Sequence, residues 1–314
     1  MPAPIALGII GFGIMGERLL RAALEHAAEH VTPVGVWDPA PAAAARLTGG
    51  VPMLATAEAV IAACDCLYIA APPSRHIPLA QAALAAGRAV FLEKPLATDL
   101  AAARAFVAGA VGARAAVNFP MASSPAVAQL SAWRAGTRPG ALAIEVAFAT
   151  WPRGWQRDAA SWLARRAEGG FTREVVSHFL FLTRRQLGPL TLLQATASFP
   201  PGDGAETAIT ARLTAGGLPV TLAGSVGTTP QDDHNTWILD DSIRLRDWSF
   251  AERRGADGAW AQAADALPNE RMRPMVLRDQ LAGVAAMTRG EPHHLATLAE
   301  ALEVQEIVEA ILAA

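Results

Sequence analysis

An unbroken apolar run at residues 5–10 ends at Gly11, and the next segment, 14–28, places Leu19, Leu20, Ala23 and Leu24 at helical spacing. Together they predict a strand, a tight turn and a helix. Further buried strands are predicted at 34–37, closing on Asp38-Pro39, at 66–71, closing on Pro72-Pro73, at 89–92 and at 115–118. Helices are predicted between them at 78–86, with Gly87 just past the end, and at 100–108. Strands alternating with helices predict a doubly wound parallel sheet. After residue 118 the texture changes. Strand-like runs at 142–150, 190–198, 207–214, 219–225, 236–240 and 242–248 are joined by several Gly-rich or Asp-rich turns, the mark of a mostly antiparallel sheet. One helix is expected inside this region at 171–187, and two close the chain at 274–288 and 295–312. The expected fold class is α/β with two domains. Residues 1–120 form the doubly wound domain, and residues 121–314 form an α+β domain on an open, mostly antiparallel sheet. The last helix could pack back on the first domain.

Composition narrows the function. The 314 residues carry 26 Lys+Arg against 29 Asp+Glu, a net charge of −3, and 52% are hydrophobic. Such a chain can bury two cores and is neither disordered nor fibrous. It has no general basic footprint for nucleic acid, and no run of about 20 apolar residues for a membrane span. Cys64 and Cys66 suit neither a disulfide framework nor a four-ligand zinc site, and read as buried thiols in a reducing compartment. No basic residue precedes Arg18, so the start lacks a charged leader and the expected location is the cytoplasm. One count adds chemistry: 25 of the 26 basic residues are arginine, and the single lysine is Lys94. Arginine cannot give up a proton in a protein, whereas a lysine amine can.

Gly11-Phe12-Gly13-Ile14-Met15-Gly16 sits between the first strand and its helix. The first glycine permits the turn, the second admits a pyrophosphate, and the third lets helix and strand pack closely. Asp38 ends the second strand, where a carboxylate accepts hydrogen bonds from ribose hydroxyls and repels a 2′-phosphate. This predicts a Rossmann domain that binds NAD, with NADP as the alternative. Ala71, Pro72, Pro73 and His76 leave the third strand at the edge where the cofactor would lie; His76 reads as a helix-start residue ahead of a cofactor neighbour. Glu93-Lys94-Pro95 ends the next strand at the same edge and places Lys94 beside the expected nicotinamide, where its amine can exchange a proton with a hydroxyl or carbonyl.

The glycine turn, the Pro72-Pro73 loop with His76, and the run Gly87-Arg88-Ala89-Val90-Phe91-Leu92-Glu93-Lys94-Pro95-Leu96-Ala97 resemble the Gfo/Idh/MocA family of oxidoreductases. The resemblance implies a nucleotide-binding domain followed by an open-sheet α+β domain, assembly as a homodimer or homotetramer, and Lys94 as the catalytic lysine. The family's second-domain signature is matched by Gly169-Gly170, Glu174 and His178. It implies that His178 is the general acid/base and that Glu174, where Asp is usual, positions substrate or tunes His178. The chain departs from the family pattern at Val176, Phe181 and Phe119-Pro120-Met121-Ala122, which makes the expected rim less polar.

Residues 151–185 hold seven arginines against three acidic residues, together with Trp151, Trp155 and Trp162. A guanidinium there could clamp a carboxylate or phosphate of the substrate. Arg173 is the first candidate and Arg153 the second. Trp155 and Asn118 complete the candidate substrate contacts. No metal ligand set is expected. The leading reading is an NAD(P)-dependent oxidoreductase acting on a secondary alcohol or ketone of a small polar metabolite, a sugar, polyol or derivative. An imine reductase and a non-catalytic dinucleotide sensor are the alternatives. Short-chain dehydrogenase chemistry is excluded because the only tyrosine, Tyr68, has Pro72 rather than lysine four residues on.

Overall fold

In the computed structural model, which describes residues 2–156 and 162–314, the first apolar run is β1 (Ile5–Ile10) and the segment behind the glycine turn is α1 (Ile14–His26). Arg157 and Asp158 of the arginine-rich stretch lie outside the described residues. The chain continues through β2 (Val31–Trp37), α2 (Ala57–Ala63), β3 (Cys66–Ile69), α3 (His76–Ala85), β4 (Ala89–Leu92), α4 (Leu100–Gly109) and β5 (Ala115–Val117). These strands pair in parallel in the order β2-β1-β3-β4-β5. The chain leaves β1 to one side and returns to its other side as β3, which creates a crevice at the carboxyl ends of the strands.

Two local departures from expectation have clear causes. β2 begins three residues before the expected 34 and contains Pro33. Proline is admitted because β2 is an edge strand, and the pairing skips Val34, passing from Leu7 with Pro33 to Gly8 with Gly35. The unexpected α2 is alanine-rich, so it shows little apolar spacing. Thr56 nevertheless caps it by accepting the Ala59 amide at 3.1 Å. Cys64 and Cys66 are buried free thiols, pushed by burial up to about 11 and about 12, and are therefore unreactive at neutral pH.

The second region holds α5 (Pro125–Arg134), β6 (Leu142–Phe148), a π-helical turn (Thr172–Val176) running into α6 (Ser177–Leu187), and β7 (Leu190–Ser198). Then follow β8 (Ala208–Ala215), β9 (Leu218–Val226), β10 (His234–Leu239), β11 (Ile243–Arg246), β12 (Phe250–Arg254) and β13 (Trp260–Gln262). Their sheet runs β13-β12-β11-β10-β6-β9-β8-β7. All its pairs are antiparallel except β6 with β9. The strand expected at 242–248 stops early because Asp247 and Trp248 take positive φ angles of 46° and 72° and turn the chain into β12. In α6, Phe179, Leu180, Phe181 and Leu182 are buried, and Thr183 Oγ1 accepts the indole N–H of Trp237 from β10 at 3.0 Å. Phe181, expected at the rim, is therefore core.

The chain closes with α7 (Asn269–Arg289) and α8 (Leu298–Leu312). It divides into two compact units, Met1–Ser123 with Pro274–Leu302, and Ser124–Arg273 with Glu303–Ala314. Leu277, Leu281 and Val284 of α7 pack into the first unit's core with Leu7, Ile9, Val36, Tyr68 and Phe91. Among the described residues, no helix is long and apolar enough to cross a membrane.

Candidate active site

The glycine turn is shaped by three different constraints. Gly11 has φ 91°, and a Cβ there would lie 2.5 Å from the backbone of Ala70 and Ala71, so the turn presses against the end of β3. A Cβ on Gly16 would lie 2.1 Å from the Gly11 carbonyl oxygen. At Gly13 a Cβ would meet nothing within 4 Å, so its bareness serves no packing within the chain. That combination fits a dinucleotide phosphate approaching the start of α1. Phe12, Ile14 and Met15 contribute the backbone of this turn. Asp38 Oδ2 accepts the Phe12 amide at 2.7 Å and Oδ1 accepts the Ala40 amide at 2.8 Å, leaving each oxygen further lone pairs for ribose hydroxyls.

Arg46 was not anticipated. Its guanidinium donates to the Phe12 carbonyl and sits 3.4 Å from Glu17, beside the Asp38 carboxylate's own anchor. Asp38→Ala is expected to weaken NADH binding about ten-fold, the scale of a lost hydrogen bond to a charged group. It should also narrow or invert the preference over NADPH, because the repelling carboxylate is gone while Arg46 stays. Fluorescence titrations with both cofactors check this, and an unaltered NADH/NADPH ratio would remove Asp38 from cofactor selection.

At the carboxyl edge, His76 joins two loops. One ring nitrogen meets the Ala71 carbonyl at 2.7 Å and the other the Pro95 carbonyl at 2.8 Å. Burial lowers the His76 pKa, and the nearby Lys94 charge adds to the effect. His76 is thus a tie between the Pro72-Pro73 loop and the Glu93-Lys94-Pro95 loop, buried among protein groups. Glu93 is also buried, and its Oε1 accepts both the Tyr68 hydroxyl at 2.5 Å and the Asn118 amide at 2.6 Å. Gln280 of α7 donates to Asn118 Oδ1 at 2.6 Å. Asn118 is therefore a buried link in place of the expected substrate contact: both ends of its amide are taken. Burial, followed by the Glu93 charge, raises the Tyr68 hydroxyl well above its ordinary value, so it remains a donor to Glu93. Lys94 follows this fixed carboxylate directly and is half-buried.

In the second unit the Gly-Gly stretch makes close approaches of its own. A Cβ on Gly169 would lie 2.3 Å from the Leu163 carbonyl oxygen. Gly170 has φ 102°, and a Cβ there would lie 2.1 Å from Glu206 Oε2. Glu206 is buried and its Oε1 accepts the Thr172 amide at 2.6 Å, holding the start of the helical segment that carries Glu174 and His178. That segment begins as a π turn. The Ser177 amide reaches back five residues to the Thr172 carbonyl, and the Ser177 hydroxyl donates to the Arg173 carbonyl at 2.7 Å. The wider turn brings positions 174 and 178 more nearly into line than a uniform α-helix would, and such π turns recur at functional sites.

Burial pushes the Glu206 carboxyl above its ordinary value, against the opposing hydrogen bonds from Thr172. The folded protein thus holds the neutral form more readily than the unfolded chain does. Its contribution to stability is present at low pH and is lost as pH rises through the raised value. Glu206→Gln keeps an acceptor for Thr172 without the charge. The melting temperature of this variant should gain on wild type as pH rises above 4.5, the ordinary value. A gap that is constant with pH would contradict this.

His178 is 8% exposed, and its ring lies 5.3 Å from the Trp248 ring, nearly perpendicular at 76°. The Trp248 indole donates to Asp233 Oδ2 at 3.0 Å, and the same oxygen accepts Arg153 Nη1 at 2.7 Å. Arg153 is buried, bonded through Nε to Gln156, and stacked 4.9 Å from the Trp155 ring centroid. Trp155 itself is 45% exposed. Arg153, Trp155, Trp248 and His178 are therefore joined in one cluster. Arg173 lies elsewhere: its Nε and Nη2 meet both oxygens of Glu309 at 2.7 Å, and its Nη1 donates to the carbonyls of Arg166 and Gly169. With four of five N–H donors taken, it ties the helical segment to α8 in place of the expected anion clamp. The tie to Asp233 and the left-handed Trp248 were not visible in local spacing.

Residues 5–119 match the Gfo/Idh/MocA model, an oxidoreductase family with an NAD-binding Rossmann fold. An inositol 2-dehydrogenase of Cereibacter sphaeroides is 38% identical over 116 residues, 35% of this chain and 34% of that protein. The chain thus matches about a third of that relative's length. UDP-N-acetylglucosamine 3-dehydrogenase GnnA from Acidithiobacillus ferrooxidans superposes with a TM-score of 0.75 at 18% identity, covering 99% of this chain and 97% of that one. GenD2 from gentamicin A biosynthesis, solved in complex with NAD, superposes with a TM-score of 0.77 at 19% identity, covering 99% and 93%. These two likenesses show the fold across both units. The match to the Gfo/Idh/MocA oxidoreductase model thus covers residues 5–119, the stretch that builds the parallel sheet and its glycine turn.

Proposed function

We propose that the protein is an NAD-dependent dehydrogenase that oxidises a secondary alcohol of a sugar, polyol or derivative, or reduces the corresponding ketone. The observation that carries this reading is the placement of the chain's single lysine directly after a carboxylate fixed by Tyr68 and Asn118, in the domain related to inositol 2-dehydrogenase. Bound NAD supplies the hydride acceptor. Lys94 takes the hydroxyl proton as the carbinol C–H bond breaks. His178 is the second proton-handling group, and the Trp248 ring against it restricts the imidazole's orientation. Glu174 orients substrate. The Asp38-anchored turn holds the adenosine end, and Arg153 with Trp155 offers the substrate a cation and an exposed indole face. Lys94 in this role favours alcohol and ketone chemistry over a sensor.

The test is NAD reduction by purified protein over inositols, sugars and amino sugars, with their ketones tested against NADH. Turnover on at least one secondary alcohol is expected. Tight NADH binding with no turnover on any member would favour a dinucleotide sensor, and turnover confined to imines would favour the C=N reductase.

A further inference from the structure

Arg273 is half-buried at the end of the second unit's long segment, yet it makes no hydrogen bond or ion pair with any described residue. Its charged neighbours are Arg153, which repels it, and Asp233 and Glu270, which attract it without reaching ion-pair distance. Asp233 is shared with other donors and makes no ion pair with Arg273. Both its oxygens are occupied, by Arg153, the Trp248 indole and the Asn235 amide. Glu270 is exposed. The less exposed groups of the cluster are thus two guanidinium ions and one carboxylate. A half-buried cation without a partner is costly unless something supplies the missing negative charge. Arg153 adds to the case. It directs Nε to Gln156 and Nη1 to Asp233, leaving Nη2 without a hydrogen bond among the described residues. Asp233 also joins Arg153 to Trp248, and so to the ring packed on His178.

We propose that Arg273 and Arg153 form an anion subsite, and that the substrate is a sugar or polyol bearing a carboxylate or a phosphate monoester. This rests on the dehydrogenase reading and narrows its substrate class. A planar guanidinium can hold either anion through two parallel N–H bonds. Trp155, exposed beside Arg153, would cover the sugar's apolar face.

The test is calorimetric titration of the NADH complex with glucose, glucuronate and glucose 6-phosphate. One of the two acids should bind at least about ten-fold more tightly than glucose, the scale of a charge-assisted hydrogen bond. Preference for glucuronate marks the carboxylate as the ligand chemistry, and preference for glucose 6-phosphate the phosphate. Arg273→Gln should reduce that acid-to-glucose ratio about ten-fold, whereas Arg273→Lys, which keeps the charge but loses the planar fork, should retain part of it. Equal affinities for all three sugars, or a ratio retained in Arg273→Gln, would overturn the subsite. Absence of turnover on every alcohol tested, with the ratio intact, would instead overturn the dehydrogenase reading and leave the subsite standing.

Discussion

Lys94→Met is expected to lower kcat by about 10³-fold, within the range by which positioned acid-base groups accelerate reactions. Methionine keeps the length and most of the packing of the lysine stem, so the half-buried site should fold normally. No other lysine exists in the chain to take over the proton. Lys94→Arg separates the two roles a cation could have. It preserves positive charge but cannot release a proton at any accessible pH. The account expects the arginine variant to be about as slow as the methionine variant. Steady-state kinetics on the best alcohol of the panel checks both, and an arginine variant within a few-fold of wild type would reduce Lys94 to an electrostatic role.

Gly170→Ala is expected to be the most damaging conservative change to the fold, costing about 3 kcal/mol. Two independent penalties add. An alanine at φ 102° leaves the conformations open to L-residues, at about 1 to 2 kcal/mol. Its Cβ would also lie 2.1 Å from Glu206 Oε2. Glu206 is 2% exposed and holds the Thr172 amide, so its carboxylate can yield only by breaking a charge-assisted bond of about 1.5 to 3 kcal/mol. At about 2.1 cal/mol/K of unfolding entropy per residue, the melting temperature of the 314-residue chain should drop by roughly 4 to 5 °C. Because the displaced helical start carries Glu174 and His178, kcat should fall as well. Differential scanning calorimetry tests the stability claim, and a drop of less than a degree would show that Glu206 moves aside freely.

What the sequence made legible was chemistry written over short spans. The glycine turn with Asp38 after the next strand, the Glu93-Lys94-Pro95 strand end and the Gly169-Gly170 to His178 spacing are short in sequence, where local backbone rules suffice. What it hid was pairing at a distance. Gln280 reaches Asn118 across 162 residues, and Glu309 reaches Arg173 across 136. Asn118 and Arg173 look the same in sequence whether they face a ligand or a buried protein partner, so both were expected to touch substrate. Glu206 stands 34 residues from the Thr172 amide it caps. A uniform helical period predicts an ordinary helix through 171–187 and so hides the π turn at Thr172–Val176. Trp248 lay at the end of an expected strand, and only its left-handed backbone turns its indole toward Asp233.

The proposed reaction is direct hydride transfer from substrate carbon to NAD, with the hydroxyl proton leaving through Lys94. The most direct measurement uses the best alcohol of the panel, deuterated at the carbinol carbon, with unlabelled NAD in ordinary water. The account predicts that the deuterium appears quantitatively at C4 of the reduced nicotinamide, with slower turnover than the unlabelled alcohol when hydride transfer limits the rate. Deuterium washed into solvent, with unlabelled reduced cofactor or none, would contradict it.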